Sequence, residues 1–285
     1  MSRTVYVNGQ FVPEEEAVVS VFDRAFLFAD GVYEVSSVLG GRLVDNEAHL
    51  NRLSRSLDEL KMPHPCDNAT IEALQNELIA RNDLTEGVVY MQVTRGSADR
   101  DFGFPADATP TLVMFTQKKN VLKSPAAESG IRVVTTPDIR WRRRDIKTVG
   151  LLAPSLAKQA AAEQGADDAW MVEDGYITEG SSNNAYIVTK DGVIVTRQLS
   201  NDILHGITRS AVLELCDKHG LMAEQRPFTP EEAYEAREAF STSASSFVMP
   251  VVEIDGKVIG NGKPGHIATE LRQIYIEHAL AQTQS

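Results

Sequence analysis

An α+β protein of two domains is the architecture this sequence predicts, and three observations carry it. The chain has 285 residues, of which 42% are hydrophobic, enough to bury a substantial core in one large domain or two of ordinary size. Segments with strand-like alternation are interleaved with segments whose apolar residues recur every three or four positions. A polar stretch from Lys118 to Gly130, containing Pro125, interrupts that pattern and reads as an interdomain linker. The expected division is an N-terminal α+β domain over 1–118, a linker over 119–130 and a C-terminal domain over 131–285.

Taken in order, the first twelve residues alternate apolar and polar around Asn8-Gly9, which predicts a β-hairpin rather than a signal peptide. Residues 17–44 hold short β-rich stretches broken at Ala29-Asp30-Gly31 and Gly40-Gly41 and predict a meander of strands. A helix follows, capped by Asp45 or Asn46, with Leu50, Leu53, Leu57 and Leu60 forming one apolar stripe and Arg52 near its edge. Ile71, Leu74, Leu78 and Ile79 predict a second helix over 70–81, before strands at 87–95 and 110–117. Beyond the linker come a strand at 131–136, a helix at 152–164, strands at 168–173 and 184–196, a helix at 208–219, further strands to 259 and a final helix over 265–282. Asp174-Gly175, Asp191-Gly192 and Asp255-Gly256 read as tight hairpin turns.

Composition excludes several classes of function. A formal net charge of −12, from 40 acidic and 28 basic side chains, argues against a general grip on nucleic-acid phosphates. No apolar run approaches the ~18 residues of a membrane span, and a cytoplasmic protein is expected. Cys66 and Cys216 lie far apart, outside any metal-like spacing, and read as reduced thiols. The six histidines, at 49, 64, 205, 219, 266 and 278, make no HExxH or other tight pair, so surface or capping roles are expected and no metal is implied.

Two motifs tempt and fail. Gly260-Asn261-Gly262-Lys263-Pro264-Gly265 fits GxGxxG and precedes a helix, but it follows an Asp-Gly hairpin and too little chain remains for a βαβ unit. Ser181-Ser182 follows Gly180, but no GxSxG elbow is present, and no GxxxxGK[ST] loop exists either.

Three further segments point to chemistry. Asp145-Ile146-Lys147-Thr148 ends the basic run Arg140-Trp141-Arg142-Arg143-Arg144 and leads into Val149-Gly150-Leu151-Leu152. A lysine at such a polar-to-apolar edge can be partly desolvated, which favours the neutral amine and imine formation with an aldehyde; alone, it reads as an ordinary solvated lysine. Ile177-Thr178-Glu179-Gly180-Ser181-Ser182-Asn183-Asn184 puts a carboxylate at a strand end, ahead of a turn of small polar residues. Leu204-His205-Gly206-Ile207-Thr208-Arg209 opens a helix, where free amides and a threonine hydroxyl offer a seat for phosphate or, more plainly, a Thr cap.

In this order, with Glu179 following Lys147 by 32 residues, the three segments resemble the class IV aminotransferases, the enzymes of pyridoxal-5′-phosphate fold type IV. The resemblance covers nearly the whole chain. Further matches are Phe28-Ala29-Asp30-Gly31-Val32-Tyr33-Glu34, His49-Leu50-Asn51-Arg52-Leu53, and Ser241-Thr242-Ser243-Ala244-Ser245 ahead of Met249-Pro250-Val251. It implies a smaller N-terminal α/β domain, a larger C-terminal β-barrel-like domain that binds the cofactor, and a homodimer whose active sites are built between protomers. By the same resemblance Lys147 is the Schiff-base lysine and the acid/base that moves a proton between the substrate Cα and C4′ of the cofactor. Glu179 pairs with the pyridine nitrogen, which keeps it protonated and the ring an electron sink. Arg52 clamps the phosphate, helped by the amides of Ile207 and Thr208 and by Ser243-Ala244, while Ser182, Asn183 and Leu204 complete the cofactor contacts. Tyr33, Val35, Ser37, Arg100 and Phe102 line the substrate side.

Within the family the chain is most similar to the D-amino acid aminotransferases, through Arg140-Trp141, Asp145-Ile146-Lys147, Leu156-Ala157-Lys158-Gln159 and the loop Val93-Thr94-Arg95-Gly96-Ser97-Ala98-Asp99-Arg100. That resemblance implies ping-pong exchange between a D-amino acid and a 2-oxo acid such as 2-oxoglutarate or pyruvate, with Arg100 reaching the α-carboxylate of a substrate on the neighbouring protomer. Two positions depart from the subgroup: Phe102 stands where it has histidine, and Ser37 where it has lysine. A more apolar mouth predicts tolerance of hydrophobic D-amino acids or some activity on (R)-amines; the alternative is that one of Arg142 to Arg144 replaces the missing charge. An (R)-amine or L-branched-chain transaminase is the nearest rival, aminodeoxychorismate lyase a further one, and a non-catalytic cofactor carrier the reading from another class.

Overall fold

Asn8 and Gly9 both take positive φ, 45° and 92°, the conformation of a two-residue hairpin turn whose twist matches its flanking strands. They join β1 (Thr4–Val7) to β2 (Gln10–Pro13), with Val7 opposite Gln10. The structure is a computed structural model that describes residues 2–283. It divides into two units, the first running to Asn120 with Ile146–Gly150 and the segment from Ala279, the second comprising Val121–Asp145 and Leu151–His278. The expected C-terminal block 131–285 therefore yields Ile146–Gly150, with Lys147 in it, to the first unit.

The meander expected over 17–44 is corrected in its first half. Residues 17–22 are irregular, and α1 (Arg24–Phe28) is a single helical turn. Asp23 caps it by accepting from the Ala25 amide, and Arg24 is held in place by an ion pair with Asp30 at 2.7 Å. Capping and a buried charge pair hold this turn, and its Arg, Ala and Leu favour helix in their own right. The strands β3 (Gly31–Leu39) and β4 (Arg42–Val44) follow, turned through Gly40-Gly41 at φ of 57° and 79°.

Next comes α2 (Asn46–Glu59), whose Leu50, Leu53 and Leu57 are buried. Asp45 precedes it in left-handed backbone and does not cap it: its carboxylate accepts from Gln282 instead, and its amide donates to the same side chain at 2.9 Å. The helix α3 (Asn68–Arg81) is capped by Asp67 and buries Ile71, Leu78 and Ile79. With β5 (Glu86–Thr94) and β6 (Thr111–Lys118) the strands make an antiparallel sheet of order β2-β1-β6-β5-β3-β4. Alternation gives the sheet two faces. Val32, Val38, Val89, Met91, Val93 and Met114 form the core with the leucine stripe of α2, whereas Tyr33, Val35, Tyr90 and Phe115 are on the other face.

The second unit opens with α4 (Pro125–Ser129), a turn within the expected linker, and continues through β7 (Ile131–Pro137), α5 (Leu152–Glu163), β8 (Asp168–Glu173), β9 (Tyr176–Gly180), β10 (Asn184–Val188) and β11 (Ile194–Thr196). Then come α6 (Ile207–Lys218), β12 (Ala223–Gln225), α7 (Pro230–Tyr234), β13 (Glu238–Ser243), β14 (Phe247–Ile254), β15 (Lys257–Val258) and α8 (His266–Gln282). The strands form a mixed sheet of order β12-β11-β10-β13-β14-β7-β8-β9, with β15 beside β14. Since β9 leads directly through Ser181–Asn183 into β10, near the opposite edge of that order, the sheet curls back on itself. Trp170, Ile177, Ile187, Val195 and Phe228 fill its core. The helix α7 adds to the elements expected from periodicity; Thr229-Pro230-Glu231-Glu232 is a capping box in sequence and forms one in the structure.

The glycine-rich segment 260–265 is a turn ahead of α8. Glu238 supplies the carboxylate there, accepting from the Ile267 and Ala268 amides at 3.1 and 3.0 Å, so this helix start is already occupied by the protein's own anion. No helix among the described residues is long and apolar enough to cross a membrane.

Candidate active site

In the first unit, the segment around Lys147 runs along the start of β3. The Tyr33 amide donates to the Lys147 carbonyl and the Val149 amide to the Gly31 carbonyl, both at 3.0 Å, and Val32 bridges Thr148. A Cβ at Gly31 would lie 3.0 Å from the Val93 carbonyl of β5 and 3.4 Å from the Val149 side chain, so a larger residue would crowd both neighbours of this strand start. The lysine is thus fixed at its backbone while its ammonium lies 4.2 Å from the centroid of the Tyr33 ring, a cation–π contact. Among the described residues no carboxylate pairs with it. The Tyr33 ring is itself stacked on Tyr90, and Tyr90 on Phe115, at 5.6 and 4.7 Å. Burial, helped by the neighbouring Tyr33, pushes the Tyr90 hydroxyl up to about 12. Val35 shares the Tyr33 face, and Ser37, two residues on, is buried.

On the opposite face of β3, Glu34 is buried and grips Arg52 through two bonds, from Nε at 2.8 Å and from Nη2 at 2.7 Å, while His49 Nδ1 lies 2.8 Å from the same carboxylate. Burial opposes ionisation of Glu34, yet the Arg52 charge and the bonds from Arg52 and His49 outweigh it and bring its pKa down to about 2. His49 is therefore no surface or capping histidine. The expected phosphate clamp, Arg52, is oriented by Glu34, a partner that sequence reasoning passes over because the two lie on different elements.

The loop after β5 carries Arg100 and Phe102. Both are exposed, with the Arg100 guanidinium 5.5 and 5.7 Å from the Phe28 and Phe102 rings. The loop is tied down from beneath: Arg24 donates to the Asp101 carbonyl at 2.7 Å, and Arg24 and Arg95 share Asp30 Oδ2, each at 2.7 Å.

In the second unit, Glu179 closes β9 and is buried. It accepts from Asn184 Nδ2 at 3.0 Å, from the Leu204 amide at 3.1 Å and from Arg140 Nη1. Burial raises its pKa, and the Arg140 charge and bond recover only part of that. Arg140 is in turn anchored by Asp138, which also accepts from Thr178 at 2.7 Å. Of the side chains considered as replacement cations, Arg144 is buried against Glu173 and Asp138, and Arg143 pairs with Asp145, which leaves Arg142 exposed.

Ser182 is exposed, and the Asn183 side-chain amide donates to Asp168 at 2.8 Å; Asn184, which sequence reasoning leaves out of the site, makes the bond to Glu179. Gly206 precedes α6 and, having no side chain, makes no side-chain cap hydrogen bond to the first amides of the helix. A Cβ on Gly206 would fall 2.1 Å from Asn184 Oδ1, which fixes glycine at this position. At the end of β13, Ser243 Oγ and Ser246 Oγ meet at 2.6 Å, and the next residue, Phe247, is fully buried at a φ of 60°. For a bulky side chain that backbone costs about 1–3 kcal/mol. Among the described residues no cluster of His, Cys, Asp or Glu is arranged to hold a metal ion.

Taken unit by unit, these residues have the chemistry that parts of a phosphorylated aldehyde with a basic ring call for, an amine in the first and a carboxylate and helix amides in the second. The fit rests on an amine without a carboxylate partner, a buried carboxylate, and a twelve-residue helix whose first amides lack a cap.

The sequence pattern of the family described as Amino-transferase class IV matches residues 31–254. D-alanine aminotransferase of Bacillus licheniformis is 37% identical over 281 residues, 98% of either chain, and that of Staphylococcus epidermidis is 37% identical over 94% of this chain and 95% of its own. Among solved structures, the branched-chain amino acid aminotransferase of the thermophilic archaeon Thermoproteus uzoniensis with norvaline superposes with a TM-score of 0.87 at 26% identity, covering 99% of this chain and 96% of its own. That of Escherichia coli reaches a TM-score of 0.92 at 22% identity, over 98% and 95%, a likeness of fold alone.

Proposed function

The chain belongs to the class IV aminotransferases, and from that membership we propose that it exchanges an amino group between a D-amino acid and a 2-oxo acid such as 2-oxoglutarate or pyruvate, in a ping-pong cycle. The observation that carries this reading is the end-to-end match to D-alanine aminotransferases. The enzyme uses pyridoxal 5′-phosphate.

When bound, the cofactor supplies an aldehyde to receive the amino group and a ring that withdraws electrons from the substrate Cα. Lys147 Nζ would hold it covalently and, once released, take and return the proton at that Cα. The Tyr33 ring beneath the ammonium would limit where the amine can swing. Glu179 would face the ring nitrogen and share a proton with it, a role suited to a carboxylate whose burial raises its pKa while Arg140 restrains it. Arg52, oriented by Glu34, would meet the phosphate with the amides of Ile207 and Thr208 and the Ser243-Ala244 turn. Leu204, Ser182 and Asn183 would complete that shell. Arg100 would take the substrate carboxylate, and Tyr33, Val35, Ser37 and Phe102 would shape the space for its side chain.

A second reading, an (R)-amine or L-branched-chain transaminase, is favoured by one observation: Phe102 presents an aromatic ring, 79% exposed, where a polar group would help a carboxylate. Separate mixing of the cofactor-loaded enzyme with D-alanine, L-leucine and (R)-1-phenylethylamine tests the choice. D-alanine is expected to change the cofactor absorbance fastest; a faster response to either of the others would replace the proposal.

We also infer a homodimer acting in the cytoplasm. Phe22, Phe26, Phe102 and Phe104 are 56 to 79% exposed on the single chain, and a second copy seated on them would take that apolar surface out of water. Light scattering that returned a monomer mass would reject this.

A further inference from the structure

Eight non-glycine residues among those described have positive φ, and seven of them are Asn, Asp, Ala or Lys. Phe247 is the aromatic among them and is wholly buried, so its backbone persists only because its surroundings over-determine it. Part of those surroundings is the hairpin itself, where Phe247 pairs with Ser243 and the Ser246 amide donates to the Ser243 carbonyl at 3.4 Å, and part comes from α8. The Tyr275 ring packs edge-on against Phe247 at 4.8 Å. Arg272 Nη1 donates to the carbonyls of Ser246 and Val248, at 2.7 and 2.8 Å, one on either side of Phe247, and Nη2 reaches the Val121 carbonyl. A guanidinium holds its donors in one rigid plane. A single side chain therefore sets the peptide plane that enters the left-handed residue and the one that follows Val248 and, through the first, the end of the turn from Ser243 to Ser246.

Arg272 is 8% exposed, and among the described residues it pairs with no carboxylate, only with carbonyls. A buried cation so partnered favours an anion near by. From this geometry we propose that Arg272 is a positioning residue for the phosphate end of the cofactor, holding the Ser243–Ser246 turn in its binding form before the phosphate arrives. A turn ordered in advance binds without the cost of ordering it. The proposal rests on the reading that Ser243 and Ala244 contact the phosphate.

The test compares apoenzyme, prepared by resolving the holoprotein, titrated with pyridoxal 5′-phosphate and with pyridoxal; the ratio of the two dissociation constants isolates what the phosphate contributes. Arg272→Met is expected to shrink that ratio about tenfold or more with pyridoxal affinity within about threefold, and Arg272→Lys, which keeps the charge but cannot span two carbonyls, to fall between. Ser243→Ala is measured alongside. A smaller ratio in both Ser243→Ala and the Arg272 variants supports the proposal. A smaller ratio in Ser243→Ala with a wild-type ratio in the Arg272 variants overturns it, while a wild-type ratio in Ser243→Ala overturns the underlying phosphate reading and the proposal with it. Should Arg272→Met not fold, Arg272→Lys decides by the same measure.

Discussion

Lys147 and Tyr33 hold one another twice: the Tyr33 amide donates to the Lys147 carbonyl at 3.0 Å, and the Lys147 ammonium lies 4.2 Å over the Tyr33 ring. Backbone and side chain of the lysine are therefore aimed by the same residue. Lys147→Ala is expected to lower turnover by about 10²–10⁴-fold or more, the range lost with a positioned acid/base. Borohydride reduction of the wild-type holoenzyme followed by peptide mapping should place the label on 147; a label elsewhere rejects the role.

Glu179 accepts three hydrogen bonds, one of them charged, in a buried setting. Glu179→Gln keeps the shape and loses the charge. A charged hydrogen bond contributes about 1.5–3 kcal/mol, so the half-reaction with D-alanine should slow by about 10- to 150-fold. Stopped-flow absorbance reads it, and an unchanged rate would remove Glu179 from the mechanism.

Glu34 has a pKa of about 2 against an ordinary 4.5, because the charge and bonds of Arg52 and the bond from His49 overcome burial. Its folded-state pKa lies below that of the unfolded chain, so its contribution is complete above about pH 4.5 and fades as pH falls toward 2. The shift corresponds to about 3 kcal/mol. Denaturant unfolding of wild type and Glu34→Gln should differ most at neutral pH and converge on acidification. A gap that stays constant from pH 7 to 3 contradicts the assignment.

Arg100 and Phe102 stand together on an exposed loop. Arg100→Ala is expected to raise KM for D-alanine by about 10-fold or more, as a lost carboxylate contact should, and to leave (R)-1-phenylethylamine almost untouched. Phe102→His should shift kcat/KM away from large apolar D-amino acids. If the wild type already falls steeply from D-alanine to D-leucine, the apolar mouth has no role in selection.

Much of this is legible in the sequence, and the gaps have physical causes. Lys147 and Glu179 stand out because each is set in a short, distinctive neighbourhood, and the leucines of α2 announce their face by spacing alone. Arg140 and Asn184 fall within segments that match the family, yet nothing in the sequence marks either as a partner of Glu179, since they reach it across a fold that brings β9 back beside the segments around 140 and 204. The pairing of Glu34 with Arg52 is likewise a contact between a strand and a helix, and no local pattern encodes it. Phe247 is the opposite case: nothing about a phenylalanine advertises a left-handed backbone, because the hairpin turn it closes and the packing of α8 hold it there. The helical turn at Arg24–Phe28 is missed because one turn is too short to show a helical period, and the ion pair with Asp30 that holds it lies outside that turn.

The tie between Asp45 and Gln282 joins residues 237 positions apart. During synthesis the corner ahead of the helix bearing Arg52 cannot be fastened until Gln282 has emerged from the ribosome, long after the leucine stripe of that helix is available to collapse. Contacts of such long range form late, after shorter loops have closed. The nascent chain thus acquires the core of its first sheet early and the seating of that corner last.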